Sequence, residues 1–292
     1  MSDGSGGGGR FTAACIQLSS TREVEPNIAA ASALIRAARA AGAELIMTPE
    51  VSDMIEPKRQ QRLAKAKDEA SHPMLAAFRD LARETGAWLL LGSAVVRRED
   101  GDERLANRSF LLAPDGSIAA RYDKIHMFDV ALAGGESYRE SNAFRPGESA
   151  VLAQLPWGVL GLSVCYDLRF PKLYRALAQA GADFLSIPSA FTVPTGKAHW
   201  QVLMRARAIE TGCFVFAPAQ WGEHAEGRKT YGHSLIVAPW GEVLAEAEDG
   251  TGFILAEIDP AKVAEARRAV PSLAHDRVFA APPRKPGALA AE

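Results

Sequence analysis

Two similar segments, AGAELIMTP at residues 41–49 and AGADFLSIP at residues 180–188, indicate how this chain of 292 residues folds. Each begins with a glycine turn that can end a helix, continues as a short apolar strand and stops at proline. A second pair, SFLLAPDG at 109–116 and SLIVAPWG at 234–241, is a strand followed by a turn in both copies. Each match alone is weak evidence, because Ala-Gly-Ala and Pro-x-Gly are common. Their shared order indicates two equivalent halves.

Strands and helices alternate through both halves. The first half predicts strands at 11–18, 43–48 and 87–96, helices at about 27–41 and 73–85, and a hairpin of 109–113 with 118–124. The second half predicts strands at 158–164, 183–187 and 213–218, helices from Pro171 to Gly181 and at 197–211, and a hairpin that opens with 234–238. Nearly continuous apolar strands between helices are typical of sheets that helices cover. We therefore predict an α/β fold, a four-layer α-β-β-α sandwich of two stacked mixed sheets with an internal pseudo-two-fold repeat. A single doubly wound sheet is the alternative.

Composition excludes several classes of protein. Lys and Arg total 33 and Asp and Glu 35, a net charge of −2, and no long basic run occurs, which argues against nucleic acid or an anionic membrane as partner. The longest apolar stretch, residues 87–96, is far shorter than the roughly 18 to 20 residues that cross a bilayer. Residues 1–10 lack the apolar core of a secretory signal and are expected to be a flexible leader, and the Pro- and Ala-rich residues 280–292 a tail. We expect one domain at 11–279 in a cytoplasmic protein.

Neither a disulfide framework nor a metal site is indicated. The three cysteines are widely spaced without a C-x-x-C pair, and the six histidines include no H-x-x-x-H or H-E-x-x-H pattern. Glycine-rich phosphate loops are missing from any strand-to-helix context. We therefore expect no metal and no cofactor.

Three chemically capable side chains stand where predicted strands end. Glu50 follows the second strand, Lys124 ends the first hairpin, and Cys165 ends the first strand of the second half. Loops at the carboxyl ends of strands converge on an open edge where α/β proteins place reactive groups. Each residue also has a structural interpretation: a solvated or capping carboxylate, a surface charge and a small core residue. A strand-to-helix turn can expose a nucleophile, and this position distinguishes Cys165 from Cys15 and Cys213.

The partner of such a thiol is not evident from the residues alone. Cysteine nucleophiles usually pair with a histidine, but neither His126 nor His233 has a signature that places it beside Cys165. A serine nucleophile is less well supported, since GLSVC at 161–165 lacks the second glycine of G-x-S-x-G. Catalytic and structural roles of Cys165 both stay open at this point.

Several segments together form a specific pattern. They are TPE at 48–50, RYDKIHMFD at 121–129, GLSVCYDLRFP at 161–171, ADFLSIPSAF at 182–191, AHW at 198–200 and RARAIET at 205–211. On these segments the chain resembles the nitrilase superfamily of carbon–nitrogen hydrolases over about residues 11–277. The resemblance implies a four-layer fold and a catalytic triad of Glu50, Lys124 and Cys165. It further implies that Glu140, in YRES, is a second glutamate supporting the site, and that the chain forms a homodimer or a higher homo-oligomer, with the segment after Cys165 and the C-terminal tail as contacts.

The resemblance also narrows the substrate. WGEHAEGRKTYGHSLIVAPWG at 221–241 is most similar to the nitrilase-like amidases that hydrolyse deaminated glutathione, a branch close to those acting on ω-amides. One departure is ALA at 131–133, where relatives often have an acidic residue and a proline. That loop borders the expected entrance, so the departure bears on substrate preference rather than on chemistry.

Two residues are candidates for holding a substrate carboxylate. Arg169, four residues past Cys165, has the fork geometry to bind a substrate carboxylate bidentately. The alternative to this binding role is a structural ion pair with Asp167 or Asp129. Thr195, in the predicted loop TVPTG, follows from the same resemblance. The neighbouring residues 199 and 200 begin a predicted helix and are expected to contribute packing.

Amide hydrolysis explains why these residue types are needed. A free thiol with a pKa of roughly 8.5 needs a base, and Glu50 can take its proton and pass it to the departing amine. Lys124 and the backbone N–H of Tyr166 can hold the oxyanion, and the acyl-enzyme is a thioester that water hydrolyses. The expected function is a thiol-dependent amidase acting on a small carboxylate-bearing amide, with deaminated glutathione as the first candidate. The alternatives are an ω-amidase on α-ketoglutaramate or succinamate, a true nitrilase, and a non-catalytic binding module.

Overall fold

The computed structural model describes residues 9–131 and 137–283. Most of the predicted leader, part of the predicted tail and two residues of the ALA segment at 131–133 lie outside the described residues. The division into a leader, one domain at 11–279 and a tail stays a prediction.

Alternating strands and helices make up both halves. The first contains β1 (Phe11–Gln17), α1 (Val24–Ala40), β2 (Leu45–Met47), α2 (Arg59–Lys65), α3 (Pro73–Thr85), β3 (Trp88–Val96), β4 (Ala106–Leu112), β5 (Ile118–Asp123), β6 (Asp129–Ala131), β7 (Ser137–Arg139) and β8 (Val151–Leu155). The second contains β9 (Gly158–Leu162), α4 (Pro171–Gln179), β10 (Phe184–Ser186), α5 (Val193–Thr211), β11 (Phe214–Ala217), β12 (Trp221–Glu223), β13 (Lys229–Tyr231), β14 (Leu235–Val237), β15 (Val243–Glu246), β16 (Gly252–Ile258) and α6 (Ala261–Ala269). Short 3₁₀ helices lie at Glu140–Asn142, Cys165–Arg169, Ala225–Gly227 and Ser272–Ala274.

Two six-stranded mixed sheets confirm the predicted α/β sandwich, and the doubly wound single sheet is wrong. One sheet has the order β16-β1-β2-β3-β4-β5 and the other β15-β14-β11-β10-β9-β8. In each, two neighbouring pairs of strands are parallel and the outer pairs are antiparallel. Read from opposite ends, the two orders match strand for strand. The halves exchange edge strands, because β16 from the end of the second half pairs with β1, whereas β8 pairs with β9.

Alternation along β1 shows how the layers pack. Ala13 and Cys15 face the second sheet in a core that also contains Phe184 and Leu162. Ala14 and its neighbours two residues along face the other way, where the apolar sides of α1 and α3 cover the sheet. Successive side chains of a strand point to opposite faces of the sheet, so both sets are buried only when another layer covers each face. α4 and α5 cover the second sheet in the same manner.

Turn chemistry sets where the helices begin and end. α3 begins at Pro73 with the ring Nδ1 of His72 accepting the Leu75 N–H at 3.4 Å, and it ends at Gly86 with φ 64°. The prediction for α5 was four residues too short, because Pro194 starts that helix in its first turn. Thr195 therefore lies on a helix and not in a loop.

Candidate active site

Glu50, Lys124 and Cys165, which the sequence predicts at three strand ends, lie together in one buried site. They follow β2, β5 and β9, so that both sheets contribute. Only 5% of Glu50, 2% of Lys124 and 7% of Cys165 is exposed. A carboxylate and an ammonium are buried in a protein only at high cost unless they are paired.

Lys124 pairs with two carboxylates at once. Its Nζ lies 2.9 Å from Glu50 Oε1, and 3.0 and 2.8 Å from the two oxygens of Glu140. The Asn107 side-chain amide donates to Glu50 Oε1 at 2.9 Å and to Glu140 Oε1 at 3.3 Å. The Phe128 N–H donates to Glu140 Oε2 at 2.7 Å. The ammonium is thereby held between two carboxylates whose own positions are fixed by other donors.

A sharp turn presents Cys165. The residue has φ 51°, the left-handed region that a residue with a side chain rarely adopts, and it opens the 3₁₀ helix Cys165–Arg169. Its N–H donates to the Pro188 carbonyl at 2.9 Å. At the second position of this helix the Tyr166 N–H has no acceptor within the helix itself. The geometry is that of a strand-to-helix nucleophile turn.

Asp167 fixes this turn. Its buried carboxylate accepts the Val164 N–H at 2.8 Å and the Tyr122 hydroxyl at 2.6 Å on one oxygen. The other oxygen accepts the His126 N–H at 3.0 Å and lies 2.6 Å from the His126 ring. One carboxylate thus joins the nucleophile turn to the segment that carries Lys124. Sequence reasoning gave this residue only as a partner of Arg169.

Charge assigns a protonation state to each of the three groups. Burial raises the pKa of Glu50, but the charge of Lys124 and hydrogen bonds from Cys165 and Lys124 outweigh it, so the pKa of Glu50 is lowered. Burial lowers the pKa of Lys124, and the charges of Glu140 and Glu50 reverse this, leaving that pKa well above its usual value. Burial and then the charge of Glu50 raise the pKa of the Cys165 thiol, against the opposing charge of Lys124. The resting site therefore holds a carboxylate, an ammonium and a thiol.

A histidine is not the partner of Cys165. His126 contacts Asp167, and His233 lies 3.1 Å from Glu246. The charge that acts most strongly on the thiol is instead that of the Glu50 carboxylate.

Arg169 does not form the ion pair with Asp167 or Asp129 that was the alternative to substrate binding. Asp167 is occupied as above, and Asp129 accepts from Ser141. The ion pairs among the described residues do not include Arg169, whose Nη1 lies 3.2 Å from the exposed His199 ring and whose guanidinium lies over Phe191 at 5.4 Å. Its charge is left without a carboxylate in the part of the chain that the structure describes.

The neighbouring helix completes this wall. Thr195 lies in the first turn of α5, with its hydroxyl 2.8 Å from that of Thr192. Trp200 is buried, donating to the His233 carbonyl at 2.7 Å, which agrees with the packing role predicted for it.

A cavity of about 370 Å³ surrounds these groups. Its lining includes Arg169 and Thr195, and the arginines exceed the carboxylates, with five against three. The arginines are Arg59, Arg62, Arg139, Arg169 and Arg228, and the carboxylates are Glu50, Glu56 and Glu140. With Lys124 the cavity carries three more positive than negative groups, although the whole chain has a net charge of −2. Anionic ligands fit such a cavity.

Asn107 and Arg228 were missed at the level of sequence. Asn107 stands within β4 and not at a strand end, and Arg228 lies in a polar turn with other charges. Asn107 lies outside the segments that carry the family resemblance, and Arg228 lies within the segment 221–241 but was not distinguished from its neighbours there. Within residues 9–131 and 137–283, no cluster of three or more His, Cys, Asp or Glu could hold a metal ion, and no helix is long and apolar enough to span a bilayer.

Known proteins are similar to this chain in sequence and fold. The family description "Carbon-nitrogen hydrolase" matches residues 12–268. The deaminated glutathione amidase of Bos taurus is 43% identical over 269 residues, covering 90% of this chain and 81% of the bovine protein. The crystal structure of the Caenorhabditis elegans NitFhit protein superposes with a TM-score of 0.86 at 37% identity, over 92% of this chain and 66% of that one. A mutant amidase from Nesterenkonia sp. AN1, with covalent addition of the acetamide moiety of fluoroacetamide at its active-site cysteine, has a TM-score of 0.75 at 26% identity, over 90% and 95% of the two chains.

Proposed function

Since the chain belongs to the carbon–nitrogen hydrolase family, we propose that it is a thiol-dependent amidase whose substrate is deaminated glutathione. The observation that carries the proposal is the Cys165 thiol, held at a strained turn in the same buried site as the Glu50 carboxylate, which contacts the Lys124 ammonium and the Asn107 amide. Both Glu50 and Lys124 lie beside a cavity of about 370 Å³, which is large enough for a small substrate.

The proposed reaction begins with proton transfer from sulfur to carboxylate. Glu50 accepts the Cys165 proton as the sulfur attacks the amide carbon, and the carbonyl oxygen becomes an oxyanion. Lys124 Nζ and the Tyr166 N–H stabilise that oxyanion, and the loss of one such donor commonly costs about 2.7 to 4 kcal/mol of barrier. Glu50 then protonates the leaving nitrogen as the carbon–nitrogen bond breaks, which leaves a thioester on Cys165.

Water completes the cycle. Glu50, again a carboxylate, takes a proton from the attacking water, and the second tetrahedral intermediate forms at the same oxyanion position. Its collapse breaks the carbon–sulfur bond, and the sulfur recovers its proton from Glu50. Glu140 does not contact the reacting atoms in this scheme, and its role is to hold Lys124 and keep it charged.

The positive cavity favours an acidic amide. Arg169 and Thr195 are proposed to bind the carboxylate on the acyl side of the substrate, since both line the cavity and Arg169 has no described carboxylate partner. α-Ketoglutaramate offers the same acyl group with ammonia as the leaving group, and an ω-amidase is therefore the second candidate. A nitrile would meet the same three groups, but it has no feature that the arginines would select.

One product reports on both candidate substrates. Hydrolysis of either deaminated glutathione or α-ketoglutaramate releases 2-oxoglutarate, which can be followed with a coupled dehydrogenase. We expect Cys165→Ala to lower turnover by about 10³-fold or more, and Cys15→Ala, a buried thiol in the core between the sheets, to keep it. Equal turnover by wild type and Cys165→Ala would reject the nucleophile. A panel of nitriles with product analysis tests the nitrilase alternative.

We also propose a homodimer in the cytoplasm. Val202 and Ile209 on α5 and Trp240 in the turn after β14 are exposed by 55% or more, and Val278 and Phe279, directly before the predicted tail, are exposed by 83% or more. Exposed apolar groups concentrated in this way are typical of protein interfaces. Light scattering of wild type and Ile209→Asp checks the dimer, and a monomeric mass for the wild type would contradict it.

The proposed location in the cytoplasm is supported by the cysteines. All three are free, as in a reducing compartment, and fractionation of cells that express the protein tests its location.

A further inference from the structure

Three arginines form a cluster in the lining of the cavity, and none of them belongs to the Cys165–Arg169 helix. Arg59 and Arg62 belong to α2, and Arg228 lies in the turn between β12 and β13. Their side chains donate to backbone carbonyls: Arg59 to Asn142 at 3.1 Å, Arg62 to Glu56 at 2.6 and 2.9 Å, and Arg228 to Ala190 at 3.4 Å. Carbonyls fix a guanidinium in place but do not neutralise its charge.

The arginines of the cluster make no direct ion pair with a carboxylate of the described residues. None of the ion pairs among the described residues includes Arg59, Arg62 or Arg228. Nearby carboxylates are engaged elsewhere, because Glu56 pairs with Lys65 at 3.4 Å and Glu226 pairs with Lys58 at 2.9 Å. The Nε of Arg228 is buried with no hydrogen-bond partner in the described structure. A buried donor without an acceptor is unfavourable unless a ligand supplies one.

Like charges within the cluster repel one another. Burial lowers the pKa of Arg62, and the charges of Arg228 and Arg59 lower it further, while Glu140 and Glu56 oppose them. The cluster therefore costs stability in the free protein. Binding an anion between Arg62 and Arg228 would remove that repulsion and satisfy the donor on Arg228.

The proton transfer in the proposed reaction indicates which end of the substrate this cluster would bind. Glu50 must reach the leaving nitrogen in order to protonate it, so the leaving group departs on the Glu50 side. The charge of Arg228 acts on Glu50. Arg169, in contrast, lies on the helix that starts at the nucleophile. Arg228 is thus associated with the base and Arg169 with the nucleophile.

We infer that Arg62 and Arg228 bind an anionic group on the leaving-group side of the scissile amide, so that the site selects amides with a carboxylate on both sides of that bond. This inference rests on the proposed amidase function. It assigns a specificity role to two residues, one on α2 and one between β12 and β13, that were not among the site residues predicted from the sequence.

Two matched substrates isolate the leaving-group charge. Deaminated glutathione and its C-terminal carboxamide share the acyl group, the scissile bond and the amine, and differ only in the charge of the leaving group. We expect wild type to favour the free acid by about 10-fold or more in kcat/KM, as charge-assisted hydrogen bonds from arginine would give. Arg228→Gln and Arg62→Gln are each expected to reduce that preference to within about threefold of one. Arg79→Gln, which removes an exposed arginine that donates to the Gly116 carbonyl far from the site, is expected to keep it.

Binding separates this inference from the proposed function. Calorimetry with Cys165→Ala measures the affinity of both tripeptides without turnover, and Arg228→Lys tests whether charge alone restores the preference in a folded variant. Equal affinity and equal kcat/KM for the two tripeptides would overturn the inference, and so would a preference that survives in Arg228→Gln. Turnover of α-ketoglutaramate with neither tripeptide hydrolysed overturns it and leaves the amidase intact. Preferential binding of the free acid with no amide hydrolysed at all supports the anion site and rejects the amidase.

Discussion

At Cys165 the buried carboxylate of Glu50 has two opposite effects on the same sulfur. It raises the pKa of the thiol, which makes the thiolate scarce, and it is the acceptor that removes the proton during attack. The site is therefore arranged for proton transfer in step with bond formation. Lys124 stays cationic through this change because Glu140 contacts it independently.

Glu50→Gln should separate these two effects. The neutral amide removes the charge that raises the pKa of Cys165, so the pH at which the thiol ionises is expected to fall, while hydrolysis is expected to drop by about 10²-fold or more because no base remains. Alkylation by iodoacetamide followed against pH, with the adduct located by mass spectrometry, measures the first effect. Cys15, whose pKa burial raises beyond the accessible range, is the internal control and should stay unlabelled in the folded protein. A midpoint for Cys165 that stays or rises in Glu50→Gln would be inconsistent with this arrangement.

Asn107 offers a second test of the charge balance. Its amide donates to both Glu50 and Glu140, so Asn107→Asp would place a third carboxylate against them. A like charge raises the pKa of a carboxyl, and the pKa of Glu50 is lowered in the native site. The acid limb of kcat/KM against pH should therefore move to higher pH in Asn107→Asp, with activity lost first on the acid side. Asn107→Ser removes the donor without adding charge, and an equal shift in both variants would argue against the electrostatic cause.

The sequence predicted the three reactive residues of the site but not the residues that orient them. Glu50, Lys124 and Cys165 each end a strand, which placed them at one edge, but strand ends alone did not distinguish them from surface charges and core cysteines. The partners that orient them were invisible, because Asn107 and Asp167 act across 57 residues and 41 residues of chain respectively. Long-range hydrogen bonds leave no local pattern in a sequence.

Among the elements, β3 shows how an interruption in a pattern can have a function. Gly92 and Ser93 break the apolar run, and the pairing with β4 shifts register there. Ser93 accepts the Val51 N–H at 2.8 Å on its hydroxyl, and its own N–H donates to the Pro49 carbonyl at 3.2 Å. The bulge thereby holds the turn on which Glu50 lies.

Gly92→Ala should disturb that turn. A Cβ at residue 92 would come 1.7 Å from the Thr48 carbonyl oxygen and 2.6 Å from Pro188 Cβ, so backbone would have to move. We expect a loss of about 1 to 3 kcal/mol in the free energy of unfolding, typical of overpacking, together with lower kcat because Glu50 shifts relative to Cys165. Urea unfolding and turnover measure the two effects. Gly252→Ala, where an added Cβ meets nothing within 4 Å, is the matched control and should change neither.

Elements with a strong period were predicted well, and short ones were not. α3 was predicted at its observed bounds because Pro73 and Gly86 mark both ends. β6 pairs with β7 and β12 pairs with β13, and each of these strands has three residues. Three residues are too few to show an apolar period. β8 and β16 were not predicted. Each pairs with a strand of the other half, whereas a prediction based on the repeat pairs strands within one half.

At the scale of the whole molecule, the exchanged edge strands and the shared core join the halves into one unit. Phe11 in β1 stacks on Trp157 at 4.2 Å and meets Phe184 of β10 edge-on at 5.5 Å, so one side chain from the first sheet packs into the second. The same apolar core extends to Cys165. The site therefore lies where both sheets end and depends on their relative position.

Phe11→Ala tests whether the halves are one cooperative unit. Removing a buried phenylalanine from a core commonly costs about 3 to 5 kcal/mol, and if the sheets unfold together that loss should appear equally in both. Hydrogen exchange of the amides in β2 and β10 under native conditions measures each sheet separately, and we expect the same increase in exchange rate in the two strands. Val243→Ala on the edge strand β15, at a half-exposed position, should leave both rates nearly unchanged. Faster exchange confined to β2 would mean that the second sheet stands without the first, and the active site would then be an interface between two independent halves.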